Sequence, residues 1–438
     1  MSAIDRATMI AAVATVAAAG AVWAQETDTA AIAELRAQIE ALTREIEALT
    51  LGRELVVEAD TAVMGLGPAA SKVYRVAQGV SLGGYGEVLY ENFRGSRQDG
   101  AASGKRDQFD ALRAVLYVGH KFSDRMLFNS EIEFEHGTTG QGGSVSLEFG
   151  YIDYRLSDHL GLRAGLLLAP MGLVNELHEP PIFLGTERPE TERLIIPSTW
   201  RENGVGVFGE AGGLSYRAYL LNGLDALGGG TSGASGFSAA GLRGGRQKGS
   251  RAVAERFALV GRVDYQGILG LTIGTSAYVG ESGQGAQSAI DPDKTVGART
   301  LIWEGHGEYK ARGLDIRALV AVAGLADAAE INALRGLTGT ASVGERLFGW
   351  YVHAGYDVLR GSATAHALVP YVRYEQLDTQ LRVPAGFRRD PMNDRRIVSL
   401  GARWKPITNI SVSAEYQLQR NEARTGIDQI NAHVAYLF

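Results

Sequence analysis

Apolar and polar positions alternate with a period of two through most of the chain, from residue 79 to residue 438. The first repeat sets Val80, Leu82, Gly84, Gly86, Val88 and Tyr90 on one face and Ser81, Tyr85, Glu87 and Glu91 on the other. A period of two predicts a β-strand with one wet face. Next, Leu112, Ala114, Leu116 and Val118 oppose Arg113, Tyr117 and Lys121. Met126, Phe128, Ile132 and Phe134 oppose Asn129, Glu131, Glu133 and Glu135, and Ile152, Tyr154 and Leu156 oppose Tyr151, Asp153 and Arg155. Farther on, Arg163, Arg217, Arg262, Arg317 and Arg373 stand opposite apolar faces, and Ile430, Ala432, Val434, Tyr436 and Phe438 share the last one. About sixteen strands result, an even number that brings both ends of a closed sheet to one side. Connections after even strands are short ("SDR", "SDH", "AGG", "ARG"), and most of those after odd strands are long. A soluble sandwich or propeller does not segregate loop length in this way. The prediction is an all-β transmembrane antiparallel barrel over 79–438.

Two other patterns precede it. Residues 9–22 are an unbroken run of small apolar residues, followed by Val22-Trp23-Ala24 with small residues at −3 and −1. That predicts a secretory signal peptide over 1–24. Within 25–52, Ile32, Leu35, Ile39, Leu42, Ile46 and Leu49 step by three and four, a three-heptad seam that predicts a coiled-coil helix ending at Gly52. Gly65, Gly67 and Pro68 break any period, so 53–78 reads as a linker, with no role attached to its "GLGPAASKVY".

Composition narrows the class. The 438 residues include 57 Gly, 11 Pro and no Cys, with 45% hydrophobic and 21% charged residues, which excludes a disordered chain or a disulfide scaffold. After the first 24 residues no window of 18 consecutive apolar residues remains, which excludes a helical membrane protein. A net charge of −6 gives no case for nucleic-acid binding. The address implied is the outer membrane of a Gram-negative-type bacterium, with the N-terminal helix in the periplasm.

Five stretches carry a family resemblance: "SLGGYGEVLYENF" (81–93), "NELHEPPIFLGTERPETERLIIPSTW" (175–200), "GRQKGS" (245–250), "GWYVHAGYDVL" (349–359) and "PYVRYEQLDTQ" (370–380). They resemble exported barrel porins grouped near the phosphate-selective porin O and P proteins. The resemblance implies a trimeric diffusion channel, with outer-membrane lipid, lipopolysaccharide and the barrel-assembly machinery as partners. Tyr436 and Phe438 on an amphipathic last strand look like the insertion signal of such proteins. The phosphate label does not carry over, because the inward positions, among them Glu131, Glu133, Arg217, Arg262, Arg317 and Arg373, form a mixed wall that leans acidic. The heptad seam, with Ile at a and Leu at d, favours two strands. The far larger barrel-wall contact outweighs three heptads, so a homotrimer is expected.

In porins the loop after strand five folds into the barrel. Here that connection is 169–200, which holds Pro170, Pro180, Pro181, Pro189 and Pro197 and is apolar at Leu173, Val174, Ile182, Phe183, Leu184, Leu194, Ile195 and Ile196. It can be neither strand nor long helix, and a loop this long and apolar calls for burial. An inward position would set Glu176, Glu179, Glu187, Arg188, Glu190, Glu192 and Arg193 against Arg113, Arg155 and Arg163, forming a constriction with a transverse field.

Other chemistry is sparse. "GGYG" at 83–86 sits inside a strand and is no nucleotide loop. Glu176, His178 and Glu179 are followed by two prolines with no second His nearby, so no metal site is expected. Glu304, His306 and Glu308 read as lumen wall. Arg243, Arg246, Lys248 and Arg251 form an outer-loop basic cluster that reads first as a solvated loop, with contact to lipopolysaccharide phosphates as the alternative. No nucleophile–base motif appears, so neither an enzyme nor a cofactor is expected. The function expected is passive diffusion of small hydrophilic solutes or ions. The alternative is an envelope tether anchored by the barrel.

Overall fold

The computed structural model describes residues 34, 37–39, 41, 65–137 and 142–438. The signal peptide, residues 53–64 and the seam residues Ile32, Leu35, Leu42, Ile46 and Leu49 lie outside the described residues. Residues 34, 37–39 and 41 are helical, and the side chain of Ile39 is exposed.

Sixteen strands follow: β1 (Gly79–Phe93), β2 (Gln108–Ser123), β3 (Met126–Glu135), β4 (Ser144–Ser157), β5 (Leu160–Leu168), β6 (Arg201–Ala211), β7 (Leu214–Asn222) and β8 (Phe257–Ile268), then β9 (Leu271–Glu281), β10 (Arg299–Ala311), β11 (Leu314–Leu325), β12 (Arg346–Tyr356), β13 (Ala367–Arg382), β14 (Asp394–Ile407), β15 (Ile410–Asn421) and β16 (Gln429–Leu437). Each pairs antiparallel with its sequence neighbours, and β16 returns to β1 to close the barrel. Closure leaves no sheet edge, the condition a sheet must meet in lipid. The 312–313 turn shows why one set of connections can be so tight. Arg312 and Gly313 both take positive φ, 53° and 85°, as a two-residue primed turn requires.

The alternation decides which face turns in. Val80, Leu82, Leu116, Phe134, Ile152, Leu259 and Ile430 are exposed on the outside, whereas Glu131, Glu304 and Glu375 have no exposed surface at all. The polar face is therefore the interior. At the seam the β1 glycines have a specific use. A Cβ at Gly84 would stand 2.6 Å from the Phe438 ring, and one at Gly86 would stand 2.4 Å from the Tyr436 hydroxyl. The two C-terminal aromatics lie over these glycines on the outer face, and Gly84 and Phe438 exchange two backbone hydrogen bonds of 2.9 Å.

Two short helices lie in the loops: α1 (Glu190–Leu194) and α2 (Ala328–Leu334).

Candidate functional site: a lumen with two occupants

An open sixteen-strand lumen would leave its polar wall wet. This wall is dry: Arg403 is 1% exposed, Glu304 0% and Glu375 0%. What covers it is the chain itself: residues 224–253 cover wall groups toward the long-loop rim, with Leu224 N donating to Tyr278 at 3.0 Å and Gln247 N to Glu202 at 2.8 Å, and two further pieces fill the rest.

The first piece is loop 169–200. Its neck is closed by Asn175, whose Oδ1 accepts from Trp200 N at 2.6 Å and whose Nδ2 donates to Ala169 O at 2.7 Å. Beyond the neck the loop spans the barrel and is gripped by four wall arginines through its carbonyls. Arg262 donates to Gly172 O. Arg317 donates to Ile182 O at 2.7 Å, and Arg373 to Glu187 O at 2.9 Å. Arg403 donates to Pro180 O at 3.1 Å, Gly185 O at 2.8 Å and Phe183 O. Prolines at 180, 181 and 189 deny the loop a helix that would use up these carbonyls. Two wall groups take the loop's other polar atoms. Glu375 accepts from Thr191 N at 2.5 Å, and the Tyr351 hydroxyl donates to Glu192 at 2.5 Å.

The second piece is residues 65–78, read from sequence as part of a linker. They pack instead against inward-facing wall residues, with Leu66, Ala69, Ala70, Ser71 and Val73 buried. The N–H groups of Ala69 and Ala70 donate to the two oxygens of Glu179 at 3.2 and 2.9 Å, so the segment rests on the loop. Asn129 donates to Ala70 O at 2.8 Å and Lys121 to Val76 O at 2.9 Å. The Tyr74 hydroxyl donates to Asp153 at 2.6 Å and accepts from Arg163 at 2.8 Å. Periodicity could not have found this segment, because its fit rests on small residues rather than on an amphipathic face. A Cβ at Gly67, for example, would lie 2.5 Å from the Glu179 carboxyl carbon.

Neither Arg113 nor Arg163 forms its ion pairs with the loop. Arg113 pairs with Glu87 at 2.6 Å and Glu133 at 3.2 Å. Arg163 pairs with Asp153 at 2.8 Å. Arg155 is exposed, and its N–H donates to Arg125 O at 2.7 Å beside the short turns. Alternation predicts the face of a residue and not its height along the barrel, which is why Arg155 is right in face and wrong in place. The arginines that face Glu176 are Arg217 and Arg262, at 3.5 and 3.8 Å. Both also hold Asp264, and His306 joins Asp264 to Glu304. His178 reaches Glu131 at 3.0 Å. Glu187 accepts from Gln417, Gln429 and Asn431, and Glu190 pairs with Arg193 and Arg395. Glu133 and Arg188 also lie in this interior.

Burial in the lumen pushes the carboxyls of Glu179, Glu187 and Glu192 up to about 7. Glu176 is raised too, because burial outweighs the pull of Arg217 and Arg262. For His178 burial acts downward, but Glu131 outweighs it and the net shift is up.

At the opposite rim from the short turns, Arg193, Arg243, Arg246, Lys248 and Arg335 line a cavity of about 570 Å³. Arg246 is buried and donates to Ser198 O at 3.2 Å and Thr199 O at 2.6 Å. It therefore braces the inward loop instead of facing outer-leaflet phosphates. Burial and neighbouring arginines bring Arg243 down to about 8. Among the described residues no group of three His, Asp or Glu side chains is placed to hold a metal.

No family model matches the chain. An uncharacterized protein of Aquifex aeolicus (strain VF5) is 37% identical over 382 residues, 85% of this chain and 83% of that one. Two solved structures share the fold at much lower identity. An anion-selective porin from Comamonas acidovorans is 11% identical with a TM-score of 0.51, covering 82% of this chain and 99% of that one. The trimer form of in-vitro folded OmpT, an outer membrane protein of Vibrio cholerae, is 12% identical with a TM-score of 0.50, covering 83% and 100%.

Proposed function

We propose that this chain, which belongs to one family with the Aquifex aeolicus protein and folds as a porin-like barrel, is an outer-membrane channel for small polar solutes. The observation that carries the reading is a closed sixteen-strand barrel, apolar outside, whose interior is lined with ionised and hydrogen-bonding groups. A structural anchor needs no such interior, since a dry apolar core would hold it together at lower desolvation cost. The inward loop sets the constriction, with Glu176 facing Arg217 and Arg262 across it. A signal peptide over 1–24, a periplasmic helix over 25–52 and a homotrimer complete the proposal, on the sequence pattern and on the trimer form among the structural neighbours.

A second reading, the envelope tether, is favoured by one observation: the lumen is filled in this arrangement. Reconstitution into a planar bilayer separates the two. A channel gives discrete conductance steps with opening and closing, and a tether gives none. Neutralising Glu176, Glu179 and Glu187 together is expected to change ion selectivity. Unchanged selectivity and conductance would put the loop outside the conduction path.

A further inference from the structure

The two lumen occupants are not equally held. Loop 169–200 is tied to the wall at both ends, by β5 and β6, and four arginines grip its carbonyls between them. Among the described residues, segment 65–78 is continuous with a wall strand at Gly79. That residue pairs with Lys121, close to the 124–125 turn, so the segment enters from the short-turn rim. Its bonds to the wall involve Asn129, Lys121, Phe122, Tyr151, Asp153 and Arg163, three of them through the single residue Tyr74.

The wall it covers is shaped for it and keeps its own pairing without it. A Cβ at Gly119 would lie 2.7 Å from Val73 Cβ, and one at Gly83 would lie 3.0 Å from Ala69 O. Bare backbone at these two wall positions makes room for the segment. Asp153 and Arg163 bond each other at 2.8 and 2.9 Å, independently of Tyr74. Withdrawal of the segment therefore uncovers a polar wall whose charges remain compensated, and a hydrated path replaces small side chains. Leu66 and Val73 are the only large aliphatic side chains the segment buries among its described residues.

We propose that residues 65–78 are the gate of this channel, a plug that seats against Glu179 of the fixed inward loop and leaves through the short-turn rim. The proposal rests on the channel reading above. It assigns a role to the "GLGPAASKVY" stretch: Gly67 clears Glu179, Ala69 and Ala70 present their N–H groups to it, and Tyr74 docks on the Asp153–Arg163 pair.

The chain contains no Cys, so a two-cysteine lock can be read without background. Val73→Cys with Gly119→Cys places the sulfurs on Cβ positions 2.7 Å apart, and the segment must ease off the wall by about 1 Å to reach disulfide spacing. In planar bilayers the oxidised full-length pair is expected to open at least about tenfold less often than wild type, and reductant is expected to restore opening. In a second arm, Val73→Cys alone is treated with a bulky charged thiol reagent from the short-turn side. The adduct is expected to hold the channel open, because the segment can no longer reseat on Gly119. Three results overturn the gate while leaving the channel intact: failure of the cysteine pair to cross-link, equal conductance of the oxidised and reduced pair, or a conducting Val73→Cys channel that the reagent never modifies. Absence of conductance in every form, adduct included, overturns the channel reading and the gate with it. Heat-modifiable migration of each variant on a denaturing gel confirms that the barrel has folded.

Discussion

Loop 169–200 and segment 65–78 fill the same lumen by opposite chemistry. In the loop, carbonyls are the bonded groups and the wall supplies the charge, through Arg262, Arg317, Arg373 and Arg403. In the segment, Ala69 and Ala70 offer N–H groups and the loop supplies the charge, through Glu179. Hydrogen bonds to charged groups contribute about 1.5–3 kcal/mol each, so the loop holds the larger share of such contacts. Filling a barrel and fixing what fills it are therefore separate problems. Proline-rich backbone gripped by arginine is a permanent fitting. A run of small residues held at Glu179 and through Tyr74 is a reversible one.

The largest expected effect comes from loosening the permanent piece. Arg403→Ala leaves the carbonyls of Pro180, Phe183 and Gly185 buried without their donor. The loss is expected to reach about 3–5 kcal/mol, on the scale of an unpaired buried charge network. Limited proteolysis within 169–200 should then become fast while the barrel core stays resistant. Arg403→Lys should recover only part of the effect, because one ammonium cannot reproduce the fork that reaches three carbonyls. Retained protection in the alanine variant would mean the loop is held by its neck alone.

The next effect belongs to the other piece. Glu179→Ala removes the acceptor for two backbone N–H groups and is expected to cost the segment's seating about 1–3 kcal/mol. Cleavage within 65–78 should accelerate by about tenfold or more, with cleavage within 169–200 little changed. Equal acceleration of both would make the two pieces one cooperative unit and erase the contrast.

Much of the barrel was legible and little of its contents was. Strand count, closure and facing follow from a period of two, because lipid outside and charge inside force every residue to choose a side. Glu131, Glu133, Arg217, Arg262, Arg317 and Arg373, inward by alternation, all lie on the buried inner face. Height along the barrel is a different quantity. It depends on shear and register, which alternation does not carry, and so Arg155 was grouped with residues far from it while Glu176 found Arg217. The 65–78 segment was missed for another reason. Its partners Asn129, Tyr151 and Asp153 lie more than 50 residues away in sequence, and its own signal is a lack of bulk, which reads as a linker. Asn175, Tyr351, Glu375 and Arg403 were likewise visible only as inward or polar residues, with nothing to mark them as anchors.

The docked loop holds protons on Glu179, Glu187 and Glu192 up to about pH 7, whereas free glutamates release them near 4.5. Between those values the docked state binds more protons, so docking is firmest below about pH 4.5, weakens as pH rises toward 7 and is level beyond it. The charged groups that face these carboxyls are Glu190, Glu91 and Glu415 around Glu187, His178 and Glu131 around Glu179, and Glu304 and His306 around Glu192. Protease protection of 169–200 and channel closure should both be greater at pH 5 than at pH 8. Replacing the three glutamates by glutamine should flatten that dependence. A profile unchanged by the replacements would assign it to groups on the wall.

The smallest expected effect tests which arginines belong to the constriction. Arg155 is exposed near the 158–159 turn, and an exposed side chain with no special role changes stability by no more than about 0.5 kcal/mol. Arg155→Ala should therefore leave stability, conductance and ion selectivity where they were. Arg217→Ala is the matched control at the same kind of inward-predicted position. It removes one of the two cations facing Glu176 and strips Asp264 of a 2.6 Å partner. The local field then turns more negative, so permeability should shift toward cations, measured as reversal potential in a salt gradient. Were Arg155→Ala to shift the reversal potential as far as Arg217→Ala does, ions would be selected at the short-turn rim, and the inward loop would be a support for the gate and not the filter.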